Sequence, residues 1–221
     1  MARAPRAIHA GVCYHLINRG NNRATLFHHP AEYAAFVGLM RAAQERVALD
    51  LFAVCLMPNH FHLVVRPQRN GDVMRWMHWL LTTHAHRHNL TYGTTGRVWQ
   101  GRYKAFPIEQ DEHLLTVVRY VERNAVRSGL VRRARDWRWG SAAWRLGPAN
   151  RTRMLAELPI RLPRKWQDYV DEPQTSEETA ALRACVNGQQ PYGGEHWRHS
   201  ATECSGFHGP GRRRGRPRTR P

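Results

Sequence analysis

"LDLFAVCLMPNHFHLVVRP" runs from Leu49 to Pro67. Leu49–Pro58 and His60–Pro67 each read as a strand, with Pro58 and Asn59 as the tight turn between them. The stretch is a β-hairpin. Its second strand carries two histidines, His60 and His62, flanking Phe61. Side chains alternate along a strand, so both imidazoles project to one face. Two neutral imidazoles that converge there can hold Zn, Mn, Co or Ni. The chain has 14 histidines, so the spacing can also arise by chance, and the pair alone leaves both readings open.

Outward from the hairpin, "VCYHLINRG" (Val12 to Gly20) reads as a strand and "NRGNNRATLF" as a polar turn. Pro30 is placed to open a helix, in which Tyr33, Phe36, Val37, Met40 and Ala43 have helical spacing. After the hairpin, a helix is predicted from Gly71 to about Asn89, with Val73, Met77, Leu80 and Leu81 on one face. His84 and His88 fall on it as part of a polar face. "RVWQGRYKAFPIE" is a short extended segment, read as an edge hairpin. One helix is predicted from near Asp111, with acidic residues at its N-terminus, to Gly129 as its stop. "WRWGSAAWRLG" is expected to pack back onto the sheet. The order β-α-β-β-α-(β)-α with short connections predicts an α+β fold: a ferredoxin-like antiparallel sheet with helices packed on it.

After about Gly147 the composition changes. The expected organisation is a domain over residues 1–147, an extension over 148–205 and a basic tail over 206–221. The extension carries a helix across Glu177 to Val186. The tail, "GRRRGRPRTRP", is of a composition that stays disordered alone.

The charge balance narrows the function. Lys and Arg number 34 against 17 Asp and Glu, a net charge of +17. Arginine supplies nearly all of it, and its planar fork suits phosphates and base edges. An arginine-rich genome raises Arg everywhere but does not explain so large an excess, so the partner expected is nucleic acid. No apolar run is long enough to span a bilayer, and the first residues have no apolar signal core; the protein is expected in the cytoplasm, associated with the nucleoid. Cys13, Cys55, Cys185 and Cys204 form no CxxC pair, which argues against a zinc ribbon or a disulfide framework. No phosphate-cradling glycine loop is present.

In "RYVERNAVRSGLV", Tyr120, Asn124 and Arg127 lie on one stripe of a helix. Leu114, Val118, Val121 and Ala125 form the adjacent apolar stripe. A tyrosine, an amide and an arginine on one face are not what a core requires, although a half-buried tyrosine on an amphipathic helix is common. Tyr14 belongs to the first strand, Tyr33 to a core helix face, and Tyr103 to a DNA-facing or packing position.

"MPNHFHLVV", "WQGRYKA", "YVERNAVRSGLV" and the late "PYGGEHW…RGRPR" occur in the order seen in REP-associated tyrosine transposases. The chain resembles that family, a branch of the HUH single-tyrosine transposases, over nearly its whole length. The resemblance implies a metal-dependent single-stranded DNA endonuclease and strand transferase. It implies that His60 and His62 bind a divalent metal, Mg or Mn, that Tyr120 is the nucleophile, and that Asn124 is a third ligand. Relatives often have Asn-Pro-Val-Arg where this chain has Asn124-Ala125-Val126-Arg127, a change a helix tolerates. The implied substrate is a REP-like hairpin, handled by a monomer or a homodimer.

The chemistry is consistent with these residues. A tyrosine that attacks a phosphodiester keeps the 5′ phosphate as a covalent ester and conserves the bond energy for rejoining. A free phenol ionises only near pH 10, so charge stabilisation at the phosphate must assist. Arg19, Asn21 and Arg23 on the first turn can contact phosphates or base edges. Trp99, Gln100, Arg102 and Lys104 interleave an aromatic with polar and cationic groups, as a single-strand platform does, although Trp99 could equally be core. Arg127 is a further DNA contact, and Arg214 and Arg216 form an AT-hook-like core in the tail. The rival readings are a nucleic-acid-binding module without catalysis and a hydrolase that uses water as nucleophile.

Overall fold

The computed structural model describes residues 8–147, 153–188 and 190–205. In chain order its main elements are β1 (Cys13–Arg19), α1 (Pro30–Arg46), β2 (Leu49–Met57), β3 (His60–Pro67), α2 (Asp72–Tyr92), β4 (Lys104–Ile108), α3 (Glu112–Glu122), α4 (Asn124–Arg127), α5 (Ser141–Trp144), α6 (Trp166–Asp171), α7 (Ser176–Gly188) and α8 (Glu195–Ser205). The strands form one antiparallel sheet in the order β2-β3-β1-β4. This is the expected ferredoxin-like α+β arrangement.

Both faces of the sheet are covered. On one, α1 buries Tyr33, Phe36, Val37, Met40 and Ala43, and α2 buries Val73, Trp76, Met77 and Leu80, against Leu16, Leu56, Phe61, Leu63 and Val65. On the other, α3 lays Leu114, Val117, Val118 and Val121 over Cys13, Cys55, Met57 and Val64. The pairing of β2 with β3 shifts register between Leu51 and Ala53. This bulge keeps Leu49 and Leu51 on the same face as Val54 and Leu56, which strict alternation would not allow.

Helix α1 starts as its sequence dictates. Pro30 occupies the first turn, and His29 and Glu32 form a capping box, which satisfies amides that the helix itself cannot. Helix α2 runs to Tyr92, past the expected end, and stops at Gly93 in a left-handed conformation. Leu81, expected on the buried face, is only half-buried at the edge of the cluster; His84 takes the inward position instead.

Two expectations need correction. The segment 97–109 is not a hairpin but a single edge strand, β4, paired with β1. Its first half is drawn across to Gly20, which bridges to Trp99. The helix expected from Asp111 to Gly129 breaks: α3 ends at Glu122, Arg123 adopts φ −80° and ψ −3°, and α4 begins at Asn124. The segment Asn124–Arg127 contains no proline, so proline is not the cause of the break.

Both sheet edges are closed by later chain. Beside β2, the Trp139 carbonyl accepts from Leu56 N–H, the Trp137 indole donates to the Leu56 carbonyl, and Cys55 bridges to Gly140. The tryptophan-rich segment thus returns to the sheet as its composition predicts. Beside β4, Tyr192 exchanges backbone bonds with Pro107 and Glu109. Covering exposed strand edges blocks pairing with another chain.

The extension is fastened to α3. Arg119 is buried and donates to the carbonyls of Glu172 and Pro173; Arg123 donates to those of Val170 and Asp171. These include the last carbonyls of α6, which a helix end leaves without intrahelical donors. Nearby, Glu122 is wholly buried and accepts from Ser141 Oγ, Arg145 Nε and Trp166 Nε1.

Candidate active site

Strand β3 turns His60 and His62 to the face that α3 covers, while Phe61 points the opposite way against Phe36 and Trp99. The imidazole ring centres are 5.0 Å apart. Helix α3 holds Tyr120 over them, its ring 6.0 Å from that of His62. Arg127, on α4, places its guanidinium 4.0 Å over the Tyr120 ring and donates to Asn124 Oδ1 at 2.8 Å. The break at Arg123 therefore leaves Tyr120, Asn124 and Arg127 together.

These groups line a cavity of about 650 Å³. Arg19, Arg23, Gln100, Arg102 and Lys104 line it too, so most of the residues proposed from sequence converge here. No carboxylate is among the described lining side chains. Several guanidiniums and an ammonium around one cavity attract phosphodiester oxygens.

The same environment fixes the histidines as neutral. Burial lowers the pKa of His60 to about 4, helped by Arg19 and Arg127. Burial pushes His62 well below the usual histidine range, with His15, His60, Arg127 and Arg19 adding to the effect. Charged imidazole is disfavoured both by desolvation and by nearby cations. Neutral imidazole is the form that can ligate a metal.

The hydrogen bonds test the site for a cation. His60 Nδ1 lies 2.7 Å from Asn59 Oδ1, and His62 Nδ1 lies 2.9 Å from His15 Nε2. Each ring therefore has its Nδ1 engaged, so a ligand would meet Nε2, in the tautomer that carries no hydrogen there. Asn59 also donates from Nδ2 to the Arg23 carbonyl, which ties the first loop to the hairpin turn. Asn124 would ligate through Oδ1, which accepts from Arg127 on one of its two lone pairs; its Nδ2 is a donor, buried with no partner among the described residues. Two imidazole nitrogens and an amide suit a divalent cation.

Several residues proposed from sequence stand elsewhere. Trp99 is buried, at 7% exposure; it packs on Phe36, Phe61 and His84 and donates its indole N–H to the Leu81 carbonyl. It is core, not a stacking platform for bases. Tyr103 is likewise buried. Asn21 donates its backbone N–H to Val98 and does not line the cavity. His84, expected on a polar face, is buried against Phe27, Phe36 and Trp99, and burial lowers its pKa to about 4. Arg214 and Arg216 lie outside the described residues.

Among the residues not found from sequence, His15 and Asn59 hold the two histidines, and Arg183 lines the cavity from α7. Asn59 could have been suspected from its place beside His60. His15 could not, because the register that sets β1 against β3 is not legible in the sequence. A separate group, Glu109, Asp111 and His113, brings ligand-type atoms within 4.8 Å of one another. There the Asp111 carboxylate caps α3 and engages His113 Nδ1 at 2.8 Å.

Comparison with known proteins places this geometry. The family model "Transposase IS200 like" matches residues 9–124. A solved REP-associated tyrosine transposase bound to a REP hairpin aligns with a TM-score of 0.54 at 18% identity, covering 79% of this chain and 99% of that one. A candidate transposase from Deinococcus radiodurans R1 aligns at a TM-score of 0.39 and 18% identity, covering 56% of this chain and 97% of that one. A search of curated proteins finds no match. The structural likeness shows a shared fold, and the family model runs from before β1 through the histidine pair and Tyr120 to Asn124. The chain belongs to the IS200-like transposase family and is a DNA transposase.

Proposed function

We propose that this transposase is a metal-dependent single-stranded DNA endonuclease and strand transferase that works through a 5′-phosphotyrosine. The carrying observation is the placement of Tyr120 beside His60 and His62 in a cationic cavity lined by no described carboxylate. Hairpin DNA is the substrate class, on the strength of the solved relative bound to a REP hairpin.

In this reading the Tyr120 oxygen attacks the scissile phosphorus. A bond forms from Tyr120 to the 5′ phosphate, and the 3′ oxygen leaves and takes up a proton. The 3′-hydroxyl of the same or another strand reverses the step. His60, His62 and Asn124 would hold a divalent cation, Mg or Mn, which supplies positive charge to the phosphate oxygens. Arg127 keeps the Tyr120 ring flat against its guanidinium and steadies the negative charge that leaves the phenol. Arg19, Arg23, Gln100, Arg102 and Lys104 orient the DNA backbone around the cavity. Arg214 and Arg216 add contacts from the tail.

Covalent trapping tests the proposal. Labelled hairpin DNA from the flanks of the gene is incubated with the protein and Mg or Mn, then run on a denaturing gel. The expected result is an adduct that vanishes in Tyr120→Phe and in His60→Ala. Cleavage without adduct would show a water nucleophile. Tight binding with neither cleavage nor adduct would leave a binding module on this fold.

A further inference from the structure

We propose that His15 is a positioning residue for the cation site: it exchanges the shared hydrogen with His62 and accepts it in the tautomer in which His62 can be a ligand. The inference rests on the reading that His60, His62 and Asn124 hold the cation.

His15 is on β1, fully buried, with Phe106 edge-on at 4.7 Å and the Tyr120 ring at 6.1 Å. Its Nε2 is 2.9 Å from His62 Nδ1, and its own Nδ1 is buried with no hydrogen-bond partner among the described residues. Two neutral imidazoles at this distance share one hydrogen, and it can belong to either ring. When it sits on His62 Nδ1, that ring's Nε2 keeps a lone pair and can bind a cation. When it sits on His15 Nε2, the hydrogen of His62 is on Nε2, and the ring cannot ligate.

The unpartnered Nδ1 of His15 decides which state the metal-free protein prefers. In the ligating state His15 carries its hydrogen on Nδ1, a buried N–H with nothing to accept it. In the other state that nitrogen presents only an unpaired lone pair, which is the cheaper orphan. The metal-free protein is therefore expected to hold His62 protonated at Nε2. Cation binding moves the shared hydrogen from His15 Nε2 to His62 Nδ1. One proton leaves His62 Nε2 and one is taken up at His15 Nδ1, so the pair stays neutral. A cation on His62 makes its N–H more acidic and strengthens its bond to His15, as outer partners of ligating histidines do.

The test combines nitrogen NMR and cation binding. With ¹⁵N-labelled histidine, His62 should carry its hydrogen on Nε2 in EDTA and on Nδ1 after addition of Zn, a diamagnetic probe. His15→Phe should bind Mn about tenfold more weakly than the wild type by electron paramagnetic titration. The unpaired N–H is present in both loaded proteins, on His15 in one and on His62 in the other, and the wild-type His15–His62 bond exists with and without the cation, so the difference reads how far the cation strengthens that bond. A His62 tautomer that does not change with Zn overturns the proposal, even if His15→Phe fails to fold. Equal Mn affinity in a folded His15→Phe overturns it as well. A wild type whose Mn affinity is unmoved by His60→Ala shows instead that the cation site itself is misplaced, and the role of His15 falls with it.

Discussion

The guanidinium of Arg127 lies 4.0 Å over the ring of Tyr120. The same side chain donates to Asn124 Oδ1, so one cation organises both groups. Arg127→Ala is expected to slow formation of the covalent adduct about tenfold, since a desolvated cation–π contact is worth on the order of 1–2 kcal/mol. Single-turnover trapping at saturating DNA measures it. An unchanged rate would show that the stack does not assist attack.

Acid should destabilise the fold through its buried histidines. Burial sets His15 at about 3 and His60 and His84 at about 4, with His62 also well below the usual value. In the unfolded chain these rings titrate near 6.5. Above that pH both states are neutral and the rings add no pH dependence. Below it the unfolded chain binds protons that the folded one refuses. Stability should therefore fall from pH 6.5 towards 4, by at most about 1.4 kcal/mol per pH unit for each ring. Urea midpoints in EDTA at pH 7.5, 6.0 and 5.0 report it; a flat series refutes it.

Glu122 is the polar hub beneath the extension. Its carboxylate accepts from Ser141, Arg145 and Trp166. Glu122→Ala takes the counter-charge from Arg145, which keeps only its bond to the Phe52 carbonyl, leaves the Ser141 and Trp166 donors without this acceptor, and should cost about 3 kcal/mol or more. Thermal unfolding decides this, with Glu122→Gln expected to lose less because it keeps one acceptor.

Trp99→Ala should cost about 3 kcal/mol or more of stability through the cavity it leaves. Per folded molecule, its affinity for single-stranded DNA should match the wild type. Fluorescence anisotropy well below the melting temperature separates the two effects. A large affinity loss in a stable Trp99→Ala protein would restore the stacking role.

Arg19 lines the cavity beside His60, its cross-strand neighbour. Arg19→Ala should weaken DNA binding similarly for all sequences and reduce the salt slope of log affinity by about 0.7, the value for one phosphate on a single strand. Titrations at several salt concentrations give the slope.

Legibility in the sequence followed the range of the interactions. The β2–β3 hairpin and α1 rest on local patterns, so the alternation around Pro58-Asn59 and the spacing from Tyr33 to Ala43 were sufficient. The shared face of His60 and His62 follows from the strand period alone. Contacts set by strand register were not readable: His15 and His62 are 47 positions apart, and only the register of β1 against β3 joins them. Trp99 misled because cations surround it in sequence, while its bridge to Gly20 turns the indole inward. The break at Arg123 falls within a periodic pattern that continues across it. Residues 206–221 lie outside the described part, so the tail adds nothing to this comparison.

The hold of Arg119 and Arg123 on the end of α6 also orders events during synthesis. The histidine hairpin is complete once Pro67 has emerged. Arg119 meets its carbonyl partners only 53 and 54 positions further along the chain. A ribosome-bound chain therefore has its two imidazoles in place long before the helix that carries Tyr120 is anchored. Anchoring of the Tyr120 helix is thus a later event in synthesis than formation of the hairpin that faces it.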